Sequence, residues 1–190
     1  MSMPICEKMD KNEMIEKEIR KVGFSCLRCG ACCSGPNNEV MVSQPEIEEL
    51  SATTNLLRDE IVEPYPEWIK KDGFTFTFGW VLKRNSDGNC IFLEKKQCQV
   101  YNNRPYICRT YPFMLDGDCL IISMCPGCGT NLDTPNATEI KKDLLLRREE
   151  EERDLKKTKK HYQKHSTIKD STIVFDSSGA HEYYFPPKRS

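Results

Sequence analysis

The sequence predicts an α+β fold, a small irregular domain of short helices and hairpins followed by a long charged C-terminal helix. Three observations predict it. Apolar residues recur at helical spacing in some short segments and alternate in others, with Gly, Pro and Asn breaks between them. The cysteines crowd into groups between Cys26 and Cys128, leaving only Cys6 apart. After Gly129 the chain turns to Glu, Lys and Arg.

Glu7 to Val22 reads as a helix, because Ile15, Ile19 and Val22 fall at i, i+4 and i+7 and Gly23 follows as a C-cap. Phe24 to Gly35 is too dense in Cys and Gly for regular structure and reads as a ligand loop. Ser43 and Glu46 have capping-box spacing ahead of Ile47 and Leu50. A second helical stretch is expected from Leu56 to Ile61, stopped by Pro64 and Pro66. Phe74 to Leu82 alternates, which predicts one strand with Phe74, Phe76, Phe78, Trp80 and Leu82 on the same face. Asn85 to Asn89 is a turn. Cys90 to Leu93 and Gln97 to Tyr101 form a hairpin around Glu94-Lys95-Lys96, and Arg104 to Thr110 is a helical turn begun near Pro105. A second hairpin joins Met114-Leu115 to Cys119–Ser123 across Asp116-Gly117-Asp118.

Thr138 to His165 is the long charged helix. Glu149 and Arg153, like Glu152 and Lys156, are spaced i, i+4. Ile140 and Leu144 are expected to dock its first turns, and the apolar face fades beyond Leu146. Ser166 to Ser190 reads as a tail with one strand at Thr172 to Phe175. The resulting division is an N-terminal helix (1–23), a cysteine-cluster domain (24–130) and a charged helix with its tail (131–190).

Lys+Arg is 28 and Asp+Glu 29, a formal net charge of -1. No global field therefore draws the chain to nucleic acid or to an anionic membrane. Met1 to Arg20 lacks the apolar core of a signal peptide, and no apolar run approaches the roughly 20 residues that span a bilayer. A cytoplasmic protein is expected, in a compartment where thiols stay reduced. Hydrophobic residues are 38% of the chain, so the core is small and cross-links would help to hold it. Eleven cysteines in 190 residues are about 6%, under the roughly 8–10% of disulfide scaffolds, and the number is odd. Clustered thiols in a reducing compartment point to metal binding or redox chemistry, and a metal-stabilised domain is expected.

Cys26-x-x-Cys29-x-x-Cys32-Cys33 is two overlapping Cys-x-x-Cys units that present three thiolates to one centre about 2.3 Å away. Adjacent side chains diverge, so Cys33 is expected to serve a second centre or to bridge. A remote cysteine must then complete the first site. Cys125 and Cys128 repeat the Cys-x-x-Cys spacing, which favours ligation by Cys128. Cys119, on an apolar strand, reads as packing, and Cys6 as a free thiol. The three histidines lie in the tail: His161 and His165 read as a solvated helix face, and His181 lies further on. The donor set is all sulfur, which suits zinc and iron–sulfur clusters alike; the triple spacing leans towards [4Fe–4S]. Arg104 and Arg109 bracket Cys108, and Lys95 and Lys96 precede Cys98, either to offset thiolate charge or as ordinary surface charge.

The ordered blocks Cys26-Leu-Arg-Cys29-Gly-Ala-Cys32-Cys33, Cys90-Ile-Phe-Leu, Cys98-Gln-Val-Tyr101, Arg104-Pro105-Tyr-Ile-Cys108-Arg109-Thr-Tyr-Pro112-Phe113 and Cys125-Pro126-Gly127 resemble the CxxCxxCC family of zinc- or iron-chelating proteins, the YkgJ-like proteins. Flagellin lysine methylases are similar in this cysteine pattern. The resemblance implies a metal-binding domain with Cys26, Cys29, Cys32, Cys33, Cys90, Cys98, Cys108 and Cys125 as its cysteines, enough for two four-sulfur sites or for one site with spare thiols. Where the family has an aliphatic residue this chain has Cys128, a ninth candidate ligand.

Three functions compete. The first is an accessory protein carrying an iron–sulfur cluster, up to two [4Fe–4S], in electron transfer or in maturation of a partner protein that docks on the C-terminal helix. The second is a zinc-stabilised interaction module. The third, resting on the methylase similarity, is a protein methylase; the chain is short for a separate catalytic domain and has no G-x-G-x-x-G loop, which weighs against an enzyme. No basic stripe runs through the cysteine domain, so no nucleic-acid partner is expected.

Overall fold

The computed structural model describes residues 11–35, 38–166 and 170–184. It is mixed α+β, 38% helical and 22% strand. Its helices are α1 (Lys11–Lys21), α2 (Gln44–Thr54), α3 (Arg58–Ile61), α4 (Tyr106–Thr110) and the long α5 (Ala137–Lys164). The strands are β1 (Met41–Val42), β2 (Val62–Pro64), β3 (Ile69–Lys71), β4 (Phe74–Phe78), β5 (Trp80–Leu82), β6 (Leu93–Glu94), β7 (Gln97–Cys98), β8 (Phe113–Asp116), β9 (Cys119–Ile122), β10 (Thr172–Phe175) and β11 (Ala180–Glu182).

The chain forms two compact units that do not follow its linear division. One combines 1–38 with 84–149, the other 39–83 with 150–190. The cysteine-cluster segment is thus interrupted by residues 39–83, and α5 begins in one unit and ends in the other.

In the first unit α1 buries Ile15 and Ile19 against Phe24, Phe113, Leu120 and the opening turns of α5 at Ala137, Ile140 and Leu144. The helical spacing of Ile15 and Ile19 and the docking expected of Ile140 and Leu144 both have this cause. Gly23 ends α1 in the left-handed region at φ 60. It could carry no side chain, because a Cβ there would collide with the Asn131 carbonyl oxygen. Thr134, fully buried, stitches the pieces: its hydroxyl donates to the Ile19 carbonyl at 2.7 Å and accepts from the Phe24 amide at 2.9 Å. Both expected hairpins form, although the first is shorter than expected: Glu94 is in its strand and Tyr101 opens a 3-10 turn. β6 pairs with β7 across Lys95 and Lys96, both at positive φ, and β8 pairs with β9 across Asp116-Gly117-Asp118.

In the second unit Glu46 Oε2 accepts from the Ser43 amide at 2.8 Å and opens α2 as the capping-box spacing predicts. The single strand expected over Phe74–Leu82 is instead two. Gly79, at φ 77, breaks it, so β4 joins a four-stranded sheet in the order β11-β10-β4-β3 and β5 a three-stranded sheet in the order β1-β5-β2. Pro64 does not merely stop a helix; it ends β2, paired with Trp80. The tail strand β10 runs parallel to β4 and places Phe175 beside Phe76 and Tyr162 in an aromatic cluster. His165 packs on Phe74 and Phe175, at centroid distances of 5.9 and 5.1 Å, rather than on a solvated face. Arg153 pairs with Glu150 at 3.9 Å, one residue away from the expected Glu149.

Candidate metal centre

All nine candidate cysteines are free thiols and all belong to the first unit. Cys119, expected as packing, is disulfide-bonded, which takes it out of the donor set by a different route. Cys6 lies outside the described residues.

The ligand loop is irregular apart from a 3-10 turn at Ala31–Cys33. In that turn the Sγ atoms of Cys32 and Cys33 lie 3.8 Å apart. The divergence expected of adjacent side chains belongs to extended backbone; a helical turn splays them less, and side-chain rotation brings the sulfurs together. The Cys90 amide donates to the Cys33 carbonyl at 2.8 Å, which sets Cys90 beside the turn. Gly30 presses against the β6–β7 hairpin, where a Cβ would lie 2.8 Å from the Lys96 carbonyl oxygen, and so brings Cys98 to the same place. Cys33 shares its proton with both Cys32 and Cys98.

That sharing decides the charge. Donation from Cys33 lowers Cys32 to about 7 and Cys98 to about 6, while Cys33, donating to two sulfurs, is pushed far up. Burial raises Cys108 and Cys90. In the metal-free group Cys98, and to a lesser degree Cys32, is thus shifted towards the thiolate, while Cys33 is shifted towards the thiol.

Of Arg104, Arg109, Lys95 and Lys96, the structure sets Arg104 beside the sulfurs. Its positive charge favours the thiolates of Cys32, Cys98 and Cys108. Its Nε donates to the Tyr101 carbonyl at 2.8 Å, and its guanidinium lies 3.7 Å over the Tyr101 ring. Arg28, inside the first Cys-x-x-Cys, lies 4.1 Å from the centroid of the same ring. Tyr101 thus ties the Cys26–Cys29 loop to the segment carrying Cys98 and Cys108. Sequence reasoning missed this arrangement, although Arg28 and Tyr101 both stand inside the cysteine blocks. Arg109 faces elsewhere, 3.8 Å from Asp143 and 4.3 Å over Tyr106. Lys95 is 90% exposed and is surface charge.

Cys125 and Cys128 come from a separate loop anchored on the core of α1, β8, β9 and α5. Among the described residues no three Cys, His, Asp or Glu side chains already close around one point, so a metal would have to draw these loops together. The donor chemistry fits zinc or iron: nine free sulfurs, with Arg104 and backbone N–H groups beside some of them to offset thiolate charge.

Such a unit defines a thiolate-rich metal-chelating domain. Residues 25–143 match the CxxCxxCC family model, described as "Putative zinc- or iron-chelating domain", and the chain belongs to that family. It is 27% identical over 111 residues to uncharacterized protein MJ0661 of Methanocaldococcus jannaschii, a match covering 56% of this chain and 54% of that protein. The chain thus spans about half the length of this curated relative. No solved structure matches it significantly. Among the described residues no helix is long and apolar enough to cross a membrane.

Proposed function

We propose that the protein is a cytoplasmic accessory factor that holds an iron–sulfur cluster on Cys32, Cys33, Cys90, Cys98 and Cys108 and serves electron transfer or maturation of a partner protein. The observation that carries this reading is the group itself: five free thiols from four segments, with two lowered thiol pKa values and Arg104 beside them. When bound, the cluster supplies a one-electron redox centre. The chain's own residues supply sulfur donors, Cys33 giving up its proton on binding, and the Arg104 guanidinium offsets the charge. The middle of α5, where Leu155 is 68% exposed among charged residues, is the proposed docking element for the partner.

The test is purification of the full chain without oxygen, with visible spectrum, iron, zinc and acid-labile sulfide measured on one sample. A brown protein with near-equal iron and sulfide supports the reading. A colourless protein holding only zinc overturns the cluster and leaves a zinc-stabilised interaction module. Absence of all metal overturns metal binding.

A further inference from the structure

The first and last Cys-x-x-Cys loops share a design. Cys26-Leu27-Arg28-Cys29 is followed by Gly30 at φ 75, and Cys125-Pro126-Gly127-Cys128 by Gly129 at φ 73. A left-handed residue just after the second cysteine turns the chain back, so that two sulfurs of one short loop face the same side. The second loop is already folded this way. The Gly127 amide donates to Cys125 Sγ at 3.4 Å, and the Cys128 amide donates to the Cys125 carbonyl at 3.1 Å.

Backbone pairing sets the two loops side by side across about a hundred residues of chain. The Ser25 amide donates to the Gly127 carbonyl at 3.0 Å, the Gly129 amide to the Val22 carbonyl at 2.9 Å, and the Asn131 amide to the Gly23 carbonyl at 3.0 Å. A side chain at Gly127 would strike the Ser25 carbonyl, so the approach is as close as backbone permits. Cys26 therefore begins immediately beside the loop that carries Cys125 and Cys128. Cys29, Cys26 and, more weakly, Cys32 act on Cys125, whereas Cys33 lies 3.8 Å from Cys32 and shares a hydrogen bond with Cys98. The backbone pairing thus sets Cys26 and Cys29 on the side of Cys125 and Cys128, with Cys32 between that loop and the group around Cys33.

We propose that Cys26, Cys29, Cys125 and Cys128 form a second, mononuclear tetrathiolate site for a tetrahedral divalent cation such as zinc, separate from the group around Cys33. It deepens the proposed function and rests on the reading that this unit binds metal. Cys128 is its fourth ligand. The site clamps the start of the ligand loop to the loop before α5, and so closes the unit independently of what Cys98 and Cys108 hold.

The test uses the full-length chain, reduced and metal-free, titrated with Co²⁺, whose thiolate charge-transfer and d–d bands report tetrahedral sulfur ligation. Cys128→Ser is expected to lose one cobalt equivalent relative to wild type. Cys128→His, which restores a ligand, is expected to regain the equivalent with a shifted spectrum, which separates ligand loss from misfolding. Cys98→Ser is expected to keep the tetrathiolate spectrum. Retention of every wild-type equivalent by Cys128→Ser would overturn the second site while leaving the group around Cys33 intact. A wild type that binds no cobalt also overturns it, and the iron and sulfide content then judges the cluster reading separately.

Discussion

Gly127→Ala probes the contact that brings the two Cys-x-x-Cys loops together. Gly127 is not in the left-handed region, so alanine suffers no backbone strain of its own and tests the approach alone. The new Cβ would collide with the Ser25 carbonyl oxygen and come within 3.1 Å of Phe24 Cε2. Backbone on one side and a core ring on the other leave no flexible end to yield. Overpacking of this kind costs about 1–3 kcal/mol, and loss of the Ser25–Gly127 hydrogen bond adds about 0.5–1.5 kcal/mol. A stiffer unfolded chain returns about 0.4–1 kcal/mol, for a net loss of about 0.5–4 kcal/mol. For a chain of this size each kcal/mol moves Tm by about 2–4 °C, so a fall of several degrees is expected. The assay is thermal melting of the reduced, metal-free full chain followed by circular dichroism. An unchanged or raised Tm is what the unfolded-state effect alone would give, and that result would refute the argument from close approach.

Two more predictions follow from the same unit. Phe113→Ala removes a ring that is 1% exposed and packed edge-on against Phe24 at 5.5 Å, so it should cost about 3–5 kcal/mol in chemical denaturation; a loss below about 1 kcal/mol would mean the cavity refills. In the metal-free protein Cys98, lowered from 9.0 to about 6 by donation from Cys33, stays a thiolate above that pH and is protonated below it. Its alkylation by iodoacetamide, followed peptide by peptide, should level off by neutral pH while buried Cys108 remains slow; a Cys98 rate still climbing near pH 9 would contradict the shared proton.

Much of the fold was legible because its causes are local. The Ser43–Glu46 cap, the two hairpins at Lys95-Lys96 and Asp116-Gly117-Asp118, and the buried stripe of Ile15 and Ile19 each depend on residues a few positions apart. The break at Gly79 was not legible, because alternation runs through it unbroken and only the pairing partners reveal that β4 and β5 enter different sheets. Nor was the role of the tail, since β10 pairs with β4 nearly a hundred residues upstream. His165 looked solvated for the same reason: the aromatic rings it meets are distant in sequence.

The candidate centre divides in the same way. By itself the sequence named the candidate donors, because thiolate chemistry and Cys-x-x-Cys spacing are written in residue type and short separation. It also held both glycines that follow those loops. The tertiary structure alone decided which thiols become neighbours: Cys33 with Cys32 and Cys98 through the 3-10 turn and the β6–β7 hairpin, and Cys26 with the Cys125–Cys128 loop through Ser25 and Gly127. It also separated Arg104, beside the sulfurs, from Arg109, turned to Asp143. Chelation requires several sulfurs at one point in space, and where segments far apart in the chain meet is set by the packing that folds them, which residue spacing does not encode.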